Sequence, residues 1–162
     1  MSDTAVLWLT DPEMRAWRAL VQSTTGLLAI LDNELQAAHG LSLGDYEVLV
    51  HLSEAPDRSL RMSELAGRLH LSPSGITRRI DGLVRSGLVE RRQCPSDRRG
   101  SNAFITDTGI ETLRRVAPTH VRGVREHFVS RLTERQLANL ASALSSVEID
   151  PAGAAGGCDG AP

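Results

Sequence analysis

Ser74, Thr77, Arg78, Asp81 and Arg85 recur at helical spacing, so their hydroxyl, guanidinium and carboxylate groups share one face of one helix. Ile76, Ile80, Leu83 and Val84 fall at i, i+4, i+7 and i+8 and form the opposite, apolar face. A second group follows in Cys94-Pro95-Ser96-Asp97-Arg98-Arg99-Gly100-Ser101, where proline, glycine and serine read as a loop carrying two arginines at its tip. Hydroxyls and arginine on an exposed helix suit the major groove of DNA. That groove admits one helix and presents acceptors that arginine reaches in a bidentate way. Arginines on a hairpin tip suit the minor groove, where negative potential is concentrated, and Asp97 is near enough to hold one of them by paired hydrogen bonds.

A polar face is common to surface helices, so the elements around it carry the argument. Ser72 is an N-cap, Pro73 fits the first helical position, and Gly87 ends the helix as a left-handed cap. A shorter helix over 63–69 precedes it. Ala66 is small enough for a close crossing, and His70-Leu71 leaves a short turn, which is the helix-turn-helix pattern. Residues 88–93 then read as a strand and 103–105 as its partner, with the loop 94–101 between them. The expected fold class is mainly α with a small β-wing.

Charge distribution points the same way. The net charge is −2, but residues 58–99 hold ten arginines against four acids (Glu64, Asp81, Glu90 and Asp97), a local +6. A basic block inside an acidic body is the footprint of a localised phosphate contact; a solvated charge run is the alternative. All eighteen basic residues are arginine.

The 162 residues and 41% hydrophobic content suit one domain. No apolar run reaches the length of a membrane span, and no basic and then apolar segment opens the chain, so a cytoplasmic protein is expected. Cys94 and Cys158 are too far apart and too loop-like for a disulfide framework. No Gly-rich phosphate loop, Gly-x-Ser-x-Gly or zinc-type cysteine pairing occurs, which argues against an enzyme, a cofactor or a metal. His120 and His127, seven apart on one helix, read as a surface pair rather than metal ligands; His39, His51 and His70 are isolated. Arg91, Arg92 and Arg98 near Cys94 favour its thiolate, and oxidation there would disturb a contact at the hairpin tip. A plain exposed loop cysteine is the alternative.

The remaining helices must position this middle. Thr10 with Glu13 forms a capping box, with Leu9 and Met14 as a staple, and opens a long helix that ends at Gly40. Its apolar positions, from Trp17, Leu20 and Val21 to Leu31 and Leu35, make a stripe wide enough to pack on two sides. A second helix starts at Leu41-Ser42-Leu43 and closes at Pro56, and residues 58–60 read as a short strand pairing with the wing. Thr106 caps a fifth helix through Val116, Val124 and Phe128, with Pro118 expected to kink it. Thr133 with Gln136 opens the last helix, whose stripe is Leu137, Leu140, Ala141, Leu144 and Val147. The organisation read from this is an N-terminal helical part (1–40), a winged helix-turn-helix lobe (41–106), C-terminal helices (107–149) and a disordered tail (150–162).

Leu71-Ser72-Pro73-Ser74-Gly75 followed by Thr77-Arg78 resembles the recognition helix of the MarR family of bacterial transcription regulators. Asp97-Arg98-Arg99-Gly100, then Phe104-Ile105-Thr106-Asp107-Thr108-Gly109, resembles that family's wing and its exit into the next helix. The resemblance runs over residues 11–148, and the wing is its most specific part. It implies a homodimer joined through interleaved terminal helices, with two recognition helices on a pseudo-palindromic operator. Ser74, Thr77 and Arg78 would then meet base edges, with Ser72 and Arg79 nearer phosphates. Arg99 would enter the minor groove, held by Asp97, with Arg98 on the backbone. It further implies repression relieved by a small, often anionic aromatic ligand, for which Trp17, Tyr46, His51 and Arg79 are the candidates. A redox-responsive regulator acting through Cys94 and a winged helix that binds another protein are the alternatives.

Overall fold

The structure, a computed structural model, describes residues 7–94 and 97–147; for residues 94–100 side chains lie outside the described residues. The expected tail at 150–162, with Cys158, also lies outside them. Helix α1 (Asp11–His39) opens on the Thr10 box: the Thr10 amide and hydroxyl donate to the Glu13 carboxylate at 2.7 and 2.8 Å. These bonds hold the Glu13 carboxyl below its ordinary value. Gly40 ends the helix at φ 66°, a left-handed conformation that glycine adopts without a Cβ penalty. Ser42 then caps α2 (Leu43–Glu54), accepting the Asp45 amide at 3.1 Å.

Strand β1 (Ser59–Arg61) leads into α3 (Met62–Arg68), and a turn through His70, left-handed at φ 51°, leads into α4 (Pro73–Arg85). Strands β2 (Val89–Cys94) and β3 (Asp97–Ile105) form the wing hairpin, and β1 pairs with β3 on its other edge, giving the antiparallel order β1-β3-β2. The ladder is longer than the residue types of 94–101 predict. Gln93 pairs with Ser101 and Cys94 with Asp97 across a register irregularity, so most of the expected loop 94–101 is strand. Backbone pairing in a hairpin does not require β-favouring side chains, which is why Gly100 and Ser101 are tolerated there.

Thr106 joins the wing to α5 (Asp107–His127). Its hydroxyl donates to the Gly87 carbonyl at 2.8 Å and accepts the Gly109 amide at 3.0 Å. The helix continues through the exposed Pro118 and stops one residue before Phe128. Helix α6 (Glu134–Ser145) follows, opened by the Thr133–Gln136 box.

One core joins α1 to α5 through the middle of the chain: Leu35, Leu49, Leu65, Ile80, Ala103 and Val116 are all fully buried. Val84, expected in the same stripe, is 39% exposed. At about 100° per residue it lies about 80° around α4 from Ile76, past the edge of the core. The outer parts of the long helices are not covered: Trp17, Leu20, Val21 and Leu28 on α1 are exposed, and α6 has no buried residue.

The histidines also differ from the expected surface pair. The His127 Nε2 lies 2.6 Å from Glu34 Oε1 on α1, whereas His120 stacks on Tyr46 of α2 with ring centroids 4.7 Å apart. The rings are drawn to different elements because both helix neighbours of α5 present polar or aromatic groups to it. His39 Nε2 meets Thr119 Oγ1 at 2.9 Å. The His120 Nδ1 is buried without a hydrogen-bond partner. Burial pushes the His120 imidazole below its ordinary value, against an opposing pull from Glu47.

A Cβ added at Gly109 would stand 2.3 Å from the Leu88 carbonyl oxygen and 2.6 Å from Ile105 Cγ1. Gly109→Ala is therefore expected to destabilise the chain by about 2 kcal/mol in urea unfolding, as overpacking does. For His120, the unfolded chain binds the proton more readily than the folded one. Its neutral form thus contributes stability that is present above the unfolded value and lost as pH falls below it. Melting temperature should decline from pH 7.5 to 5.5 less steeply in His120→Phe than in the wild type.

Candidate nucleic-acid interface

The rotation of α4 decides which side chains are presented. Ile76, Ile80 and Leu83 are buried, so Ser74, Thr77, Arg78 and Arg85 face out. Pro73 starts the helix and Ser72 caps it: the Ser72 hydroxyl accepts the Gly75 amide at 3.1 Å and lies 3.2 Å from the Ser74 hydroxyl. The Thr77 hydroxyl donates back to the Pro73 carbonyl at 2.8 Å. The first turn of α4 therefore offers Ser72, Ser74 and Thr77 in fixed positions, with Arg78 exposed beside them.

Carboxylates sort the arginines of the basic block. Arg58 pairs with Asp107 at 3.1 Å, Arg68 with Glu64 at 2.8 Å, and Arg91 with Asp81 at 3.0 Å. Arg92 chelates Glu90 at 2.7 and 3.2 Å and lies over the Phe104 ring, 4.5 Å from its centroid. Arg79 is half-buried and turned towards α2, donating to Asp45 Oδ1 at 3.1 Å and Ser42 Oγ at 3.3 Å. Among the described residues, Arg78 and Arg85 carry no such partner, so uncompensated positive charge gathers on the outer face of α4.

Helical spacing alone puts Asp81 on that open face. It is instead half-buried and neutralised by Arg91, because alternate residues of β2 point to opposite sides of the sheet. Arg91 shares the side of Ala103, towards α4, while Glu90, Arg92 and Phe104 take the other. The ion pair thus ties the wing to α4.

A cleft of about 550 Å³ opens between α3, α4 and β3, with Arg61, Ser63, Pro73, Thr77 and Ser101 around it. The starts of α3 and α4 and the wing strand therefore face one side. The side chains of Cys94, Asp97, Arg98 and Arg99 lie outside the described residues.

The four candidate ligand residues are dispersed. Trp17 is 56% exposed on α1, whereas Tyr46 is buried against His120; burial, and to a smaller extent the Glu54 charge, pushes its phenol above the ordinary value. His51 is half-buried on α2 and Arg79 is engaged as described. Neither the cleft above nor the second one, of about 620 Å³ beside Arg58, Arg92 and Phe104, is lined by any of them. Among the described residues no group of three or more histidine, cysteine or carboxylate side chains could hold a metal, and no helix is long and apolar enough to cross a membrane.

Nothing in the sequence singles out Asp45 or Gly44, and it marks Arg91 only as a neighbour of Cys94. Ser42 was legible as the start of a helix, and Asp45 stands three residues on, where a carboxylate is common; the arginine that reaches them from another helix had no local signal. The Asp81–Arg91 pair is partly exposed, at 47% and 33%, so it should be worth under about 1 kcal/mol. Asp81→Ala and Arg91→Ala are each expected to cost no more than that in urea unfolding, and the double variant no more than the larger single.

A profile of the MarR family matches residues 41–101. Among solved structures, the chain is similar to AbsC, a MarR family transcriptional regulator from Streptomyces coelicolor, at 42% identity and a TM-score of 0.80, over 87% of this chain and 95% of that one. It is likewise similar to Sco3205, a MarR family transcriptional regulator from the same organism solved in complex with DNA, at 39% identity and a TM-score of 0.82, over 88% of this chain and 89% of that one. It is 37% identical over 95 residues to the HTH-type transcriptional repressor YetL of Bacillus subtilis, covering 57% of each, so the chain spans little more than half the length of that relative.

Proposed function

Because the chain belongs to the MarR family, we propose that it is a sequence-specific, DNA-binding transcription regulator that acts as a homodimer on a pseudo-palindromic operator. The observation that carries this reading is the outer face of α4, where Ser74, Thr77 and Arg78 are exposed together and Arg78 has no acidic partner among the described residues. A major groove supplies what that face lacks: acceptor atoms for the Arg78 guanidinium. Ser72 stands near a phosphate. On the wing, Arg99 enters the minor groove, held by Asp97, and Arg98 contacts the backbone.

Two copies joined through their terminal helices would set two α4 helices in successive major grooves, with half-site centres roughly 10 bp apart. The uncovered apolar side chains of α1 and α6 support this dimer, since large contiguous apolar surface marks an interface. Repression by occupying a promoter is the outcome we favour, on the likeness to the repressor YetL. Release by a small anionic aromatic ligand completes the reading. Tyr46 and His51 belong to α2, which packs against both α1 and α5, so a ligand there would act on both.

Fluorescence anisotropy on the protein's own upstream intergenic DNA, against a scrambled duplex and across a salt series, tests the proposal. Arg78→Ala should cost about 1–3 kcal/mol and relax specificity at one base position. Equal loss on every sequence would assign Arg78 to phosphate contacts instead. Arg99→Ala should weaken binding broadly and reduce the salt slope by about one unit. Salt-independent binding by the wild type would favour a protein partner over DNA.

A further inference from the structure

We propose that Arg79 is a positioning residue: a clamp that fixes the seating of α4 on α2, and through α2 on α1, without touching DNA or ligand itself. Arg79 follows Arg78 in sequence but lies about 100° further around the helix, on the side that packs. Its guanidinium is held at three places on one turn of α2. It donates to Asp45 Oδ1 at 3.1 Å and to Ser42 Oγ at 3.3 Å. It also lies against Gly44 so closely that a Cβ there would be 2.5 Å from Nη1, 2.6 Å from Cζ and 2.8 Å from Nη2.

The same turn is also held by α1. The Leu43 amide donates to Asp32 Oδ1 of α1 at 2.7 Å, and Ser42 Oγ, besides meeting Arg79, accepts the Asp45 amide at 3.1 Å. The turn from Ser42 to Asp45 thus meets α1 through the Leu43 amide and α4 through the side chains of Ser42 and Asp45. Arg79 and Asp45 are each about 30% exposed, at 30% and 29%, so screening limits the attraction between them. The role left to the contact is geometric. A planar guanidinium between a carboxylate, a hydroxyl and a bare glycine permits little rotation of α4, and a change in the tilt of α1 would reach α4 through Asp32 and the α2 turn. Lysine could not replace it, since it lacks the planar fork.

The consequence for operator affinity rests on the DNA-binding reading above. The test uses the full chain with Asp45→Asn, Arg79→Gln, their double variant and Gly44→Ala, titrated onto a duplex of the upstream intergenic DNA across a salt series. Amide hydrogen exchange is followed on the same proteins without DNA. Each single variant should weaken binding roughly tenfold, the size of coupling found within one network, with the salt slope unchanged. The double variant should be no weaker than the weaker single, and Arg79→Lys should not restore affinity. Without DNA, α4 amides should exchange faster in Asp45→Asn while α1 amides stay protected. A slope reduced by about one unit in Arg79→Gln, with Asp45→Asn binding like the wild type, would place Arg79 on a phosphate and overturn the proposal. Unchanged exchange in α4 would overturn it as well. If the wild type shows no preference for the upstream duplex, the DNA-binding reading fails for that duplex, and the exchange data still decide the clamp. Should Gly44→Ala fold poorly, the isosteric Asp45→Asn carries the measurement.

Discussion

The burial of Ile76 and Ile80, at 2% and 0% exposure, fixes the rotation of α4, and the surface of the lobe follows from that one choice. With those two side chains in the core, Arg79 falls against α2 and meets Asp45, while Arg78 falls outside with Ser74 and Thr77. Asp81 falls towards the wing and takes Arg91. A rotation of one residue would exchange these roles, setting Arg78 on the acidic turn of α2 and exposing Ile80. That alternative would forfeit the burial of an aliphatic side chain, about 1.5–3 kcal/mol. Apolar packing, not charge, therefore decides which guanidinium is offered outward.

Carboxylates then remove charge wherever it is not wanted at the interface. Seen in sequence, the block from 58 to 99 is broadly basic. In three dimensions Asp45 and Asp107, from outside that block, neutralise Arg79 and Arg58, and Asp81 and Glu90, from inside it, neutralise Arg91 and Arg92. What is left exposed on α4 is a compact donor set on a rigid helix. Such a set positions better than a loop would, since the hydroxyls of Ser72, Ser74 and Thr77 are fixed by the hydrogen bonds of the helix start and Arg78 is carried on the same helix.

What could be read from the sequence divides along a physical line. Signals that act within a few residues were legible: the boxes at Thr10 and Thr133, the caps at Ser72 and Thr106, the left-handed Gly40 and Gly87, and the stripe through Ile76 and Ile80. Pairings between distant residues were not. The Asp45–Arg79 and Asp81–Arg91 contacts depend on helix rotation and strand side, and His120 and His127 go to separate helices for the same reason. The hairpin was underestimated because turn-forming residue types dominate 94–101, while ladder hydrogen bonds are indifferent to them. The apolar width of the first helix was legible as a packing demand, and its exposed Trp17, Leu20 and Leu28 are the surface that the proposed second copy would cover.

Hydroxyl-radical footprinting on the upstream intergenic duplex maps where backbone is shielded along each strand and so reads how two copies sit on DNA. A dimer reading through α4 should shield two segments per strand related by a dyad, their centres roughly 10 bp apart, with further shielding in the minor groove where each wing lies. A single unpaired segment, or uniform weak shielding of the whole duplex, would contradict it.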